Sequence, residues 1–482
     1  MSLRVISRIL GILLMLFSLT LVPPMLISRV FEDDTLSAFA VAMGITLLTG
    51  FALFYPNRHA RKELRNRDGF LITVLFWTVL GAFGSLPFLL AEDPNLTIID
   101  AMFESFSGLT TTGATVMTGL DLLPHSILYY RQQLQWLGGM GIVVLAVAIL
   151  PTLGIGGMQL YRTESAGPMK DNKLTPRITE TAKALWYLYI GLTAACAMAY
   201  WLAGMSGFDA IAHSFSTVSI GGFSTHDTSM GYFDSGAVET VAIVFMTLSG
   251  INFALHFLVW RRRNPLHYFQ DIEVRVYLFV LALVSTIVCS ILWWQPTGTD
   301  DAFRDGLFQA VSITTTTGFT TSNFADWPSV APIILLFAAF AGGCAGSTAG
   351  GIKMIRVLMI YLQGMREVKR LIHPNGVFTI KLGRESVPDR RVDAVWSFFS
   401  VYVFFFLLSV CTLMVLGDLN FITAFSAVGA CLNNLGPGLG EVAVNYNSIT
   451  AEVKWVLIFN MVLGRLEIFT LLVLLTPAYW RR

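Results

Sequence analysis

Long apolar runs alternate with short polar stretches along the whole chain. "ILGILLMLFSLTLVPPMLI" from Ile9 and "GIVVLAVAILPTLGI" from Gly141 are two of the runs. A helix of roughly 20 residues crosses a hydrocarbon core about 30 Å thick. The pattern predicts membrane helices near 5–28, 36–55, 70–90, 132–152, 184–204, 237–260, 275–294, 330–362, 393–416 and 453–478. Four polar stretches between them are unusual: "SGLTTTGAT" (107–115), "STVSIGGFS" (216–224), "SITTTTGFTT" (312–321) and, more loosely, "ACLNNLGPG" (430–438). They carry hydroxyls, amides and glycine, and "SITTTTGFTT" has no acid, base or thiol. Thr is β-branched and holds extended backbone, while glycine lets the chain turn.

Gly113, Gly222, Gly318 and Gly436 mark a register with spacings of 109, 96 and 118 residues. Thirteen residues before each lie Asp100, Asp209, Asp305 and Thr423, which read as helix N-caps. Twenty-eight residues after each lies another glycine: Gly141, Gly250, Gly346 and Gly464. The chain after about residue 70 therefore reads as four units of roughly 100 residues. Each has an outer membrane helix, a short capped helix, a glycine break and an inner membrane helix. About ten residues cannot cross a bilayer, so the short helix enters and turns back. Non-helical backbone at membrane depth survives only when buried in protein or lining a water-filled path. The expected fold is an all-α polytopic membrane protein. Four helix–re-entrant helix–helix repeats surround a central pore, with two extra N-terminal helices. The corresponding divisions are 1–69, 70–160, 161–262, 263–372 and 373–482.

Composition agrees with a membrane protein and excludes an ordinary soluble enzyme: 55% of 482 residues are hydrophobic and only 13% charged. The net charge of +1 hides an asymmetry. With the N-terminus inside, 27 Lys and Arg fall on the inner side and four (Arg29, Arg131, Arg304, Lys454) on the outer side. That is the positive-inside pattern, with both termini cytoplasmic. Basic loops such as "NRHARKELRNR" (57–67) are topology determinants rather than a nucleic-acid surface. Arg4 and Arg8 precede a run too long for a signal peptide, with no small-residue cleavage site, so a retained first helix is expected. Five scattered cysteines give no disulfide or metal framework.

A ring of four extended segments presents carbonyls and hydroxyls that can replace the hydration shell of a monovalent cation. The inward-pointing C-terminal ends of the short helices carry partial negative charge and favour a cation. The four single-glycine segments, "TTTGA", "SIGGF", "TTTGF" and "NNLGPG", resemble those of the Trk, Ktr and HKT potassium transporter superfamily over nearly the whole chain. The two extra helices, the "GGCAGSTAGG" run and the "NLGPGLG" ending resemble its bacterial TrkH branch most closely. The resemblance implies a potassium filter at Thr111, Thr112 and Gly113, at Ile220, Gly221 and Gly222, at Thr316, Thr317 and Gly318, and at Asn434, Leu435 and Gly436. Some HKT members have Ser at the first glycine and conduct sodium; Gly113 argues for potassium. Units two and four depart from the Thr pairs, and the fourth is expected to be a looser ligand.

The segment "AGGCAGSTAGGIK" (341–353) places five glycines in ten residues inside the third inner helix, and predicts a loop at mid-membrane. A phosphate-binding reading fails, because Ile352 stands where GxxxxGK[ST] needs Lys. The resemblance makes the loop a gate, with Gly342, Gly343, Gly346, Ser347, Thr348, Gly350 and Gly351. Arg465 is a charge at membrane depth and so a functional candidate. By resemblance it is a gate residue; a buried ion pair is the other reading. Lys353 either assists or snorkels at the inner boundary. Asp121, Asp227 and Glu441 either concentrate cations at the outer mouth or are solvated loop charges, and Glu104 is expected to anchor the filter from behind.

The implied function is potassium uptake across a bacterial inner membrane through a gated pore, with potassium as substrate and no cofactor in the chain. A homodimer bound to a cytoplasmic ring of nucleotide-binding TrkA-type subunits is implied too, with 161–183 and 363–392 as docking loops. The alternatives are a sodium-permeable or sodium-coupled relative, an organic-solute carrier or membrane enzyme, and a scaffold. An enzyme would need clustered nucleophiles, acids or metal ligands at one depth, and a carrier often has inverted repeats. A scaffold leaves the four breaks in register unexplained.

Overall fold

The computed structural model describes residues 3–60, 66–141, 178–294, 301–328, 330–383 and 385–481. Its elements are helices and helical turns, apart from a hairpin pairing Lys381–Leu382 with Glu385–Ser386. Six spans are long and apolar enough to cross a membrane: Leu3–Val30, Leu36–Asn57, Arg67–Leu90, Lys183–Leu202, Ile272–Trp294 and Asp389–Gly417. The first two pack through glycine. A Cβ on Gly11 would lie 2.6 Å from the Gly50 carbonyl oxygen, so the two backbones touch.

Two inner helices predicted as continuous are bent, and a third is interrupted at the glycine run. The 237–260 span is Gly236–Ser249 and Phe253–Arg262, bent by 95°, and the 453–478 span is Ala451–Arg465 and Phe469–Leu475, bent by 114°. The 330–362 span divides into Ala331–Ala341 and Met354–Ile372 around the glycine run. In the first unit the inner helix starts early, at His125, and runs to Gly139; residues 142–150 lie outside the described residues. The breaks fall where the backbone is crowded from outside. A Cβ on Gly464 would stand 2.1 Å from the Leu432 carbonyl, and one on Gly250 would stand 2.2 Å from the Tyr277 hydroxyl. Hydropathy records apolarity but not such approaches, so it draws a bent pair as one span.

Four short helices lie between the outer and inner helices: Ile98–Leu109, Gly207–Ser219, Ala302–Thr314 and Phe421–Leu432. In three of them the cap stands three residues before the position expected, and in Ala302–Thr314 it stands four before. Thr97, Ser206 and Asn420 accept from the backbone N–H of Asp100, Asp209 and Thr423, and Asp301 holds the cap position without such a bond. Asp100 and Asp209 instead accept from the Thr97 and Ser206 hydroxyls at 2.6 and 2.7 Å. The offset marks the third residue of three of these helices and the fourth, Asp305, of Ala302–Thr314. A carboxylate there also favours the positive helix start.

Candidate functional site

All four short helices end in one way. Thr111, Ile220, Thr316 and Asn434 take left-handed conformations, with φ of 56°, 56°, 64° and 53°. The following N–H, of Thr112, Gly221, Thr317 and Leu435, donates back to Ser107, Ser216, Ser312 and Ala430, each at 2.8 Å. This six-to-one bond closes the helix and throws the chain into an extended strand. Gly113, Gly222, Gly318 and Gly436 come next, with φ from 80° to 98°. A side chain is strained there.

The four strands form a closed ring. A Cβ on Gly113 would lie 2.1 Å from the Gly221 oxygen, one on Gly222 2.0 Å from Thr317 oxygen, and one on Gly318 2.1 Å from Leu435 oxygen. A Cβ on Gly436 would lie 2.8 Å from Thr112 oxygen, which returns to the start. Each glycine thus abuts the carbonyl preceding the next glycine round. The twelve residues expected at the filter are brought together here. In units one and three the second threonine bonds its neighbour two residues back, Thr112 to Thr110 and Thr317 to Thr315, both at 2.8 Å. Unit four replaces this with an amide: Asn434 Nδ2 donates to the Thr112 hydroxyl and to the Met461 carbonyl, both at 3.0 Å.

The Gly342–Gly351 loop lies against the same helix ends. The Thr348 hydroxyl donates to the Val218 carbonyl at 3.0 Å, Gly350 N–H to the Thr316 hydroxyl at 2.7 Å and Gly351 N–H to the Asn433 carbonyl at 3.1 Å. Arg465 supplies the fourth quarter, donating to the Thr111 hydroxyl at 3.1 Å, the Thr348 carbonyl at 3.4 Å and the Gly138 carbonyl. Its guanidinium also stands 5.1 Å from the Trp77 ring centre. Glu467 pairs with Arg356 instead. Lys353 donates to the Ala349 carbonyl and caps the helix that leaves the loop.

A sequence profile described as TrkH, cation transport protein, matches residues 35–482. The chain belongs to the TrkH family. The Trk system potassium uptake protein TrkH of Halomonas elongata is 60% identical over 483 residues, covering all of both chains. That of Escherichia coli K12 is 54% identical over 483 residues, again end to end. The crystal structure of the potassium transporter TrkH from Vibrio parahaemolyticus superposes with a TM-score of 0.91 at 55% identity and full coverage of both chains. This member of the TrkH family is accordingly a polytopic membrane transport protein and not an enzyme.

Sequence reading missed several residues that hold the TrkH ring. Glu104 does stand behind the first strand, accepting from the Thr115 hydroxyl at 2.9 Å and from Val116 N–H at 3.0 Å. Its ion-pair partner is Arg131, at 2.7 Å, with both side chains buried. Arg131, expected among the outer charges, also donates to the Ser224 carbonyl in unit two at 2.9 Å. Lys454, likewise expected outside, is buried against Asp100 at 2.7 Å. The signal for both was a basic residue early in an inner helix facing an acid in a short helix, which no local spacing reveals.

At the outer mouth, Asp121 bonds His226 Nδ1, while Glu441 is exposed. Burial pushes the His226 pKa down, but hydrogen bonds and charge from Asp209 and Asp121 outweigh it and hold it above the ordinary histidine value. Partial burial pushes Asp121 up, yet the bond with His226 prevails and holds it below the usual carboxylate range.

Proposed function

We propose that this protein is the potassium-conducting membrane subunit of a Trk-type uptake system in a bacterial inner membrane. The ring of four glycine strands carries the reading. It presents uncharged oxygens where four negative helix ends converge, an environment suited to a dehydrated monovalent cation and not to an anion or an organic solute. The names of the relatives give the same substrate. In this reading Thr111–Gly113, Ile220–Gly222, Thr316–Gly318 and Asn434–Gly436 are the filter, and glycine rather than serine at position 113 favours potassium over sodium. The Gly342–Gly351 loop and Arg465 are the gate: the loop touches three quarters and the guanidinium the fourth, so the path is closed until both move. Both termini are cytoplasmic. The protein works as a homodimer on a nucleotide-binding ring of TrkA type, which docks on basic inner loops. Of these, 363–392 lies largely among the described residues, and most of 161–183 lies outside them.

The test is rubidium and potassium flux into liposomes holding the full chain, with and without sodium or proton gradients. Alkali-cation flux that favours potassium is expected. Absence of such flux removes the reading, and equal sodium flux replaces it with a sodium-permeable relative.

A further inference from the structure

Unit two, like unit four, departs from a threonine pair while keeping the strand geometry. Where units one and three have Thr112 and Thr317, it has Gly221, which offers no side chain to brace the strand. The space is filled from another unit. A Cβ on Gly221 would meet Gln135 Cδ at 2.3 Å, Oε1 at 2.5 Å and Nε2 at 2.8 Å, and these are its three nearest atoms. Gln135 lies on the first inner helix (His125–Gly139) and is wholly buried.

Its amide holds the filter strand on both sides of Gly222. Nε2 donates to the Gly221 carbonyl at 2.7 Å, and Oε1 accepts from Phe223 N–H at 3.1 Å. On the same helix, Gln132 donates to the Phe223 carbonyl at 3.2 Å and Arg131 to the Ser224 carbonyl at 2.9 Å. Gly221, Phe223 and Ser224 of unit two's strand are thus oriented by one face of unit one's helix. The Gly221 oxygen so held is the one that abuts Gly113 in the ring.

We propose that Gln135 is a positioning residue for ion selection, standing in for the threonine that unit two lacks and fixing the direction of the Gly221 carbonyl. A ring tells potassium from sodium only while its oxygens keep their places, which requires support from outside the ring. The substitution is reciprocal. Ser219 stands where units one and three have Thr110 and Thr315, so a hydroxyl is available to a threonine at 221 once Gln135 is shortened. Gly221 φ is not in the left-handed range, unlike that of Gly222, so a side chain is tolerated once there is space.

The inference rests on the filter reading, and the full chain in liposomes separates the two. If the parent chain passes no alkali cation, the function reading fails. If it passes potassium selectively, the variants decide. Gln135→Met matches the length of glutamine and removes both bonds; its potassium-to-sodium flux ratio is expected to fall about fivefold or more in monodisperse protein. Gly221→Thr alone is expected to lose selective flux, and Gln135→Ala with Gly221→Thr to recover most of the parent ratio. A parent ratio in Gln135→Met overturns the proposal. So do lower yield and melting temperature with the ratio unchanged, since that is a purely structural role. Should Gln135→Met not fold, the double variant decides alone, and a ratio no better than that of Gln135→Ala overturns the proposal.

Discussion

At the scale of single residues, the ring separates glycines that sequence treats as equivalents. Gly113 and Gly318 each combine positive φ with a carbonyl 2.1 Å from the would-be Cβ, whereas at Gly436 the nearest atom is at 2.8 Å. A serine at 113 or 318 adds left-handed strain of about 1–2 kcal/mol and must also displace the neighbouring strand. Gly113→Ser and Gly318→Ser are expected to lower the potassium-to-sodium flux ratio about tenfold, and Gly436→Ser clearly less. Equal losses at all three would contradict the ring geometry. Glu104 is another residue whose environment sets its weight. Glu104→Gln leaves the buried Arg131 guanidinium without its counter-charge, a loss of about 3–5 kcal/mol. A markedly lower melting temperature in detergent checks this. The twelve residues of the ring were legible because glycine, hydroxyl and amide residues recur at a fixed register. Arg131 and Gln135 were not, because each acts on the strand of a neighbouring unit about 90 residues away.

At the scale of elements, the loop from Gly342 to Gly351 is the piece that lies against the ends of the short helices, and it is the gate in the function proposed above. Its glycines were legible as a helix break, since no regular helix survives that density. What the loop touches was not, because its partners are helix ends supplied by units two, three and four. The second inner helix is also involved: its break receives the loop through Cys344 N–H to Gly250 oxygen at 2.8 Å and Phe253 N–H to Gly346 oxygen at 3.0 Å. Two bent inner helices were read as straight for the same reason. Gly350 is the closest approach, with a would-be Cβ 1.9 Å from the Asn433 carbonyl. Gly350→Ala is therefore expected to push the loop away from the fourth helix end and raise passive rubidium flux several-fold without a regulatory partner. Arg465→Gln, which gives up a fixed positive charge beside Thr111, is expected to act in the same direction. Flux at or below the parent level in both would remove the loop from the gate.

At the scale of the molecule, charge lies on the seams between units. Arg131 with Glu104 and Ser224 joins one to two, Arg304 with Glu239 at 2.7 Å joins two to three, and Lys454 with Asp100 joins four to one. Units three and four meet on an apolar outer cluster that includes Leu335, Leu336, Ala430 and Leu435, and carry their ion pairs on the inner side, Arg356–Glu467 and Arg366–Asp389. One further outer seam carries a histidine whose pKa is raised. His226 bonds Asp121 of unit one, lies 3.5 Å from Asp209 of its own unit and stacks on Tyr232 at 3.4 Å, with buried His213 6.4 Å away. Because the folded His226 pKa is raised, this clamp is fully formed below the unfolded value near 6.5 and is lost as pH rises through the higher folded value. Asp121 is depressed, so its share holds above the ordinary carboxylate value near 3.8 and is lost only in stronger acid. The Asp121 side chain is 42% exposed, which screens the pair and limits it to about 0.5–1 kcal/mol. Comparing the melting temperature of the parent with that of His226→Gln from mildly acidic to alkaline pH reads this directly. The parent should be the more stable near pH 6, and the difference should shrink as the imidazole deprotonates. A difference that stays constant across the range, or grows with pH, would mean that packing on Tyr232 rather than charge holds the outer loops of the first two units together.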